Sequence, residues 1–192
     1  MRRTAPVGAR VAGPVVRPSG PAVVEYRNPW FRVRRQTYVD ALGRHHDYHY
    51  VDKADSVLVV PRTEDGQYVM VGCERPTFPG HRGVEFPQGG VEDGETVEAA
   101  ALRELAEETG WAGAAPRRLG VLQEAAGFAN ASAHVVAVTA RRRAVRRGEE
   151  AFEAGLRPLL VSGEEIGALV SRGAVRDAAT LAACFLLHVS AG

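Results

Sequence analysis

From Gly89 to Trp111 the chain reads GGVEDGETVEAAALRELAEETGW, a glycine-rich turn running into a stretch crowded with carboxylates. Thr96 to Thr109 has the composition of a helix, and Gly110 stands where a left-handed C-cap would end it. At 100° per residue, Glu107 lies about 60° to one side of Glu104, and Glu108 about 40° to the other. Three carboxylates therefore share one face. Glu104 and Glu108 form a like-charged i,i+4 pair, which destabilises a bare helix by roughly 0.2–0.5 kcal/mol. A divalent cation reverses that sign, and ligation by oxygen alone suits Mg²⁺ or Mn²⁺. Arg103 can pair with Glu95 or Glu107 and hold the helix to the preceding loop. Val97, Ala101 and Leu105 make an i,i+4 apolar row suited to packing on a sheet.

Outward from this segment, the chain alternates strand and turn signals. Phe31 to Val39 reads as a strand ending near Asp40, with Gly43 in a turn and His49 opening the return strand. Ser56 to Val60 reads as a short buried strand closed by Pro61. Asp65-Gly66 is a hairpin signal before Tyr68-Val-Met-Val71. A Gly/Pro-rich stretch runs from Pro76 to Gly94. Leu119–Gln123 and His134–Thr139 read as later strands. Ser162-Gly-Glu-Glu165 is a capping box, and Asp177 can cap a last helix through Leu187. Strands, one helix, strands and then helices imply an α/β fold with a mixed sheet flanked by helices.

The 192 residues suit one globular domain. Lys and Arg (24) nearly cancel Asp and Glu (23), so no global field argues for nucleic acid or an anionic membrane. Lys53 is the only lysine, and the arginines supply rigid forks suited to phosphate. Cys73 and Cys184 make no disulfide framework, and a cytoplasmic location is expected. No apolar run is long enough for a membrane helix. Four prolines and four arginines precede Glu25, so residues 1–22 are expected to be a disordered arm and 23–192 the domain. His45, His46 and His49 read as surface histidines of a hairpin. The basic run from Arg141 to Arg147 reads as a solvated strand end.

The spacing from Gly89 to Trp111 resembles the Nudix box, G-x5-E-x7-R-E-U-x-E-E-x-G-U, where U is bulky and apolar. Gly89, Glu95, Arg103, Glu104, Glu107, Glu108 and Gly110 fill its seven fixed positions, and Trp111 fills the last apolar one. Seven matches at roughly 7% each put a chance fit on the order of 10⁻⁸. The resemblance implies an α/β/α sandwich around a mixed sheet, with the box as loop–helix–loop. It also implies metal-dependent cleavage of a nucleoside diphosphate linked to another group. Glu104, Glu107 and Glu108, with the Gln88 carbonyl, would hold Mg²⁺ or Mn²⁺. Gly89, Glu95, Arg103 and Gly110 would shape the box.

The flanking sequence is similar to the ADP-ribose and ADP-sugar pyrophosphatase branch. Cys73-Glu-Arg-Pro76 and Val84-Glu-Phe-Pro-Gln-Gly-Gly90 carry that similarity. Arg75 would then contact phosphate or ribose, and Glu85 would be a carboxylate on the substrate side. Gly127-Phe128 keeps a Gly-aromatic loop of the branch. Its members are commonly dimers whose N-terminal strands, here about 23–53, help build the partner's site. Trp30, Phe31 or Tyr38 would then meet the base. The catalytic base is expected on a loop after the box, with Glu153, Glu150 and Glu149 as candidates beside Glu107. The branch usually carries a proline beyond the box where this chain has Ala126, so base and sugar stay open. A biosynthetic phosphohydrolase acting on another diphosphate, and a nucleotide-binding module without turnover, are the alternative readings.

Overall fold

Strand-forming runs and turn residues arrange themselves into two compact units in the computed structural model, which describes residues 16–142 and 155–190. The first unit contains residues 1–53 and 127–130. Its described strands are β1 (Val16–Pro18), β2 (Val23–Arg27), β3 (Phe31–Asp40) and β4 (His45–Lys53). The ten-residue β3 is the spine. β4 pairs antiparallel along it from Val39↔His45 to Phe31↔Lys53. β2 and β1 pair antiparallel with successive parts of β3. The stretch 16–22, expected to lie in the arm, thus contributes a short strand, while 1–15 lies outside the described residues.

Asp40 organises the turn between β3 and β4. Its carboxylate accepts from the backbone N–H of Leu42 (2.8 Å) and Arg44 (3.0 Å), and from Arg44 Nε (2.7 Å). β4 consequently starts at His45, earlier than the expected His49. His46 Nε2 lies 3.0 Å from Asp40, and His49 Nε2 lies 3.1 Å from Glu25.

The second unit contains residues 54–126 and 131–192. Its described elements are β5 (Ser56–Thr63), β6 (Tyr68–Glu74), β7 (Arg82–Glu85), β8 (Gln88–Gly90), α1 (Val97–Thr109), β9 (Ala112–Leu122), β10 (Ala133–Arg141), β11 (Arg157–Val161), α2 (Gly163–Ser171) and α3 (Ala178–Ser190). The sheet runs β11-β6-β5-β10-β9, with β7 beside β6 and β8 beside β5. β5 and β10 are parallel and the other pairs antiparallel, so the sheet is mixed, as expected.

Alternation sorts the core into two layers. Leu58, Val60, Met70 and Val135 pack with Ile166, Leu169, Ala179 and Ala183 of α2 and α3. Val57, Val59, Val69, Val136 and Val138 pack with Ala100, Ala101 and Leu105 of α1. Helices on both sheet faces make the α/β/α sandwich.

Several boundaries differ from expectation. Pro61 does not close β5 but sits within it, because proline is costly only where its missing N–H was needed. β9 starts at Ala112 instead of Leu119, drawn out by its pairing with β10. The Gly/Pro-rich stretch holds two short strands, β7 and β8, that exist through their partners β6 and β5. Asp177 caps α3 as expected, accepting from Thr180 N–H at 2.7 Å, and the helix continues to Ser190.

Candidate active site

The site grows from the way α1 is fixed at both ends. Thr96 is its N-cap, with its side chain accepting from Ala99 N–H. Gly110 ends it at φ 75°, donating its N–H to Ala106. The row Ala101–Leu105 is buried against the sheet, and this turns Glu104 and Glu108 inward, where they are 5% and 4% exposed. Trp111 packs at the edge of the same core, as a bulky apolar residue in that position should.

β8 is the opposite wall, held to β5 from Ser56↔Gly90 to Leu58↔Gln88. The Gln88 N–H donates to Glu108 Oε2 at 3.2 Å. Gly89 faces the Glu104 carboxylate so closely that a β-carbon there would overlap both oxygens and the carboxyl carbon. Only glycine permits that approach.

Arg103 ties the loop to the helix more extensively than the spacing implied. Its Nε and Nη2 bind Glu95 at 3.0 and 2.9 Å. Nη1 reaches Glu104 at 2.7 Å and Glu107 at 2.9 Å, and Nη2 also donates to the Gly90 carbonyl at 2.8 Å. The hydrogen bond to Glu95 chiefly raises the Arg103 pKa, opposed by burial and reinforced by Glu104 and Glu107. Arg103 in turn holds Glu95 below its ordinary value.

Among the described residues, no three acidic, histidine or cysteine side chains stand ready in metal-binding geometry. The guanidinium of Arg103 lies on two of the carboxylates instead. The donor set nevertheless fits a hard cation: two buried carboxylates, a third beside them, and a backbone cradle at Gly89 that a side chain would fill.

Beside this cluster opens a cavity of about 540 Å³, with Cys73, Arg75, Glu85 and Gln88 among its walls. Arg75 Nη2 binds Glu85 Oε2 at 2.5 Å and its Nε reaches the same oxygen at 3.2 Å. Gln88 Nε2 adds a third donor at 3.0 Å. Burial pushes the Glu85 carboxyl up, but Arg75 wins and holds it below its ordinary value. Burial, with the Glu85 charge nearby, pushes the Cys73 thiol up to about 12, so it is a neutral wall and not a nucleophile.

The structure brings Glu104, Glu108, Gln88, Gly89, Glu95 and Arg103 together, with Glu107 joined through Arg103. Arg75 and Glu85 stand next to Gln88. Trp30 and Phe128 belong to the other unit, where both are exposed, Trp30 at 77%. The expected base candidates Glu149, Glu150 and Glu153 lie outside the described residues. Arg176, Phe78 and His81 share the cavity with Arg75 and were not foreseen. Arg176 is brought to Arg75 by the fold: the Val84 N–H of β7 donates to the Ala174 carbonyl at 2.9 Å, which seats the loop before α3 against that strand.

These features define a helix-borne carboxylate site on an α/β/α sandwich, and the NUDIX domain model matches residues 52–177. The chain belongs to the Nudix family. It is similar to an ADP-sugar pyrophosphatase of Mus musculus, 36% identical over 120 residues, which cover 57% of this chain and 55% of that protein. It is also similar to an ADP-ribose pyrophosphatase of Bacillus subtilis strain 168, 36% identical over 80 residues, covering 42% of this chain and 43% of that one. The matches thus span about half the length of these curated relatives. A crystal structure of an ADP compounds hydrolase shares the fold, with a TM-score of 0.77 at 20% identity, covering 92% of this chain and 95% of its own.

Proposed function

We infer that the chain is a metal-dependent pyrophosphohydrolase that cleaves a nucleoside diphosphate sugar, ADP-ribose first among the candidates, to a nucleoside monophosphate and a sugar phosphate. The observation that carries this is the buried Glu104–Glu108 pair against the Gly89 cradle, opening beside the cavity that holds Arg75. The similarity to ADP-sugar and ADP-ribose pyrophosphatases supports the substrate class.

Glu104, Glu107, Glu108 and the Gln88 carbonyl would hold Mg²⁺ or Mn²⁺. When bound, such an ion neutralises the pyrophosphate and lowers the cost of deprotonating water. Arg103 keeps the carboxylates in place through Glu95 and the Gly90 carbonyl. Arg75, its charge fixed by Glu85, orients a phosphate oxygen. Water attacks one phosphorus in line, the bridging P–O bond breaks, and a carboxylate takes the water proton. Glu153, Glu150, Glu149 and Glu107 are the candidates for that base.

Trp30 and Phe128 supply exposed aromatic faces for a base. Val23, Val24 and Tyr26 of β2 are exposed, which supports pairing of the first unit with a second copy of the chain. Among the described residues no helix is long and apolar enough to cross a membrane, and we place the enzyme in the cytoplasm.

The test is a panel of nucleoside diphosphate sugars and other nucleotides with Mg²⁺ or Mn²⁺, products separated by chromatography. Wild type should release AMP and ribose 5-phosphate from ADP-ribose. Glu108→Gln should be slower by about 100-fold or more, since it removes one of the charged oxygens that would hold the cation. A wild type inert on the whole panel, or a Glu108→Gln variant as fast as wild type, would end this reading.

A further inference from the structure

The cavity beside the glutamates is lined by two arginines, Arg75 and Arg176, and two acids, Glu85 and Asp177. Arg75 is committed to Glu85. Arg176 lines the same cavity but uses only Nε, which donates to the Gly173 carbonyl at 2.8 Å. Among the described residues its guanidinium has no carboxylate partner. The other acid in the lining, Asp177, spends Oδ2 on the Thr180 N–H at the start of α3. The loop from Arg75 to His81 makes two successive turns, Phe78 N–H to the Arg75 carbonyl at 2.9 Å and His81 N–H to the Phe78 carbonyl at 3.2 Å. Gly80 N–H is pinned to Glu74 at 2.8 Å. These bonds present the Phe78 ring at the cavity edge, 68% exposed. In the wall, His81 Nε2 is buried and without a hydrogen-bond partner among the described residues. An unsatisfied buried polar atom is uncommon.

A guanidinium with both terminal nitrogens open is the side chain best matched to a phosphate, which it grips with two parallel N–H···O bonds. The volume, about 540 Å³, falls in the range of small-molecule sites and accommodates more than an inorganic ion. Phe78 gives the rim an apolar face on which a sugar ring can rest.

We propose that this cavity receives a phosphate monoester on the substrate, in addition to the scissile pyrophosphate, and that Arg176 is the residue that selects for it. The proposal deepens the pyrophosphohydrolase reading and rests on it for the placement of the diphosphate. The monoester can sit on either sugar, and the substrates chosen for the test separate the two positions.

Three compounds suffice: ADP-ribose, its 1″-phosphate on the distal ribose, and its 2′-phosphate on the adenosine ribose. Binding of each to the full chain is measured by calorimetry in chelator, and kcat/KM is measured separately with Mg²⁺. One phosphorylated form should bind about tenfold tighter than ADP-ribose, the gain expected of one charge-assisted contact. Arg176→Gln should bring that ratio close to one, and Arg176→Lys should restore part of it. Thermal melting of each variant verifies that it is folded.

Preference for the 1″-phosphate puts the cavity on the distal sugar, and preference for the 2′-phosphate puts it on the nucleoside. Equal binding of all three compounds by wild type overturns the proposal. So does a preference that persists in Arg176→Gln. Hydrolysis of ADP-ribose with no phosphate preference defeats this inference alone. Preferential binding with no hydrolysis of any compound defeats the pyrophosphohydrolase reading and leaves Arg176 as the anion contact.

Discussion

Gly89 shows how one missing side chain sets the geometry of the site. Its backbone lies against the Glu104 carboxylate, and a methyl group there has nowhere to go except into that carboxylate. Glu104 is also tied to Arg103, which is tied to Glu95 and Gly90, so it cannot step aside without disturbing the whole bracket. Gly89→Ala is therefore expected to lower kcat on the best substrate by about 100-fold, the cost of misplacing a reacting group by roughly an ångström. Thermal stability should fall as well, because Glu104 is buried and relieving the overlap must shift it together with the Arg103 bracket. A variant within threefold of wild type would show that the position of Glu104 does not limit the reaction. The glycine was legible in the sequence from the box spacing. Arg176 was not, since its place in the cavity depends on the loop before α3 meeting β7, a contact between residues far apart in the chain.

Helix α1 is the element that converts sequence spacing into a site, and its anchor is Leu105. That side chain is fully buried among Val57, Val59, Val69 and Val136. Leu105→Ala should cost about 2–5 kcal/mol, the range for truncating a buried leucine, read as a lower midpoint in urea unfolding. The C-cap carries a smaller share. Gly110 sits at φ 75°, so Gly110→Ala should cost about 1 kcal/mol by the same assay. If Leu105→Ala unfolded at the wild-type midpoint, α1 would not be held by this contact. Such a helix is readable in advance because its cap, apolar row and stop signal are all local. β7 and β8 escaped notice because each is three or four residues long and lies among glycines and prolines. Their strand character comes from β6 and β5, not from their own composition. The early start of β9 has the same origin, since Ala112-Gly-Ala-Ala-Pro116 carries little strand preference of its own.

The two units of the molecule are stabilised by different means, and acid should separate them. Every buried apolar residue among those described belongs to residues 54–126 or 131–192. Among its described residues the first unit buries one side chain, Gln36, whose amide donates to the Gly20 and Thr37 carbonyls. Otherwise it relies on strand ladders and on charged pairs around three aspartates. Asp40 is held below its ordinary value by His46 first and then by Arg44 and the Leu42 amide. Asp47 is held down by the Thr37 hydroxyl and, against burial, by Arg35. Asp52 is held down by Asn130, again against burial, and then by Arg34, which reaches it at 2.5 Å. All three carboxyls have lower pKa values folded than unfolded. Their contribution is complete above the unfolded value, near 3.8, and is lost as the pH falls through the folded ones. The second unit also has carboxyls held below their ordinary values, Glu85 and Glu95, but it keeps a hydrophobic core that does not titrate in this window. Protein incubated between pH 7 and pH 2.5 and then pulsed with deuterium at a fixed labelling pH should therefore lose protection in β1 to β4 first. That loss should begin below about pH 4, while β5 and β10 stay protected to lower pH. Simultaneous loss in β3 and β5 at every pH would mean that the strands of residues 16–53 draw their stability from the same core as the second unit, and not from the aspartate pairs.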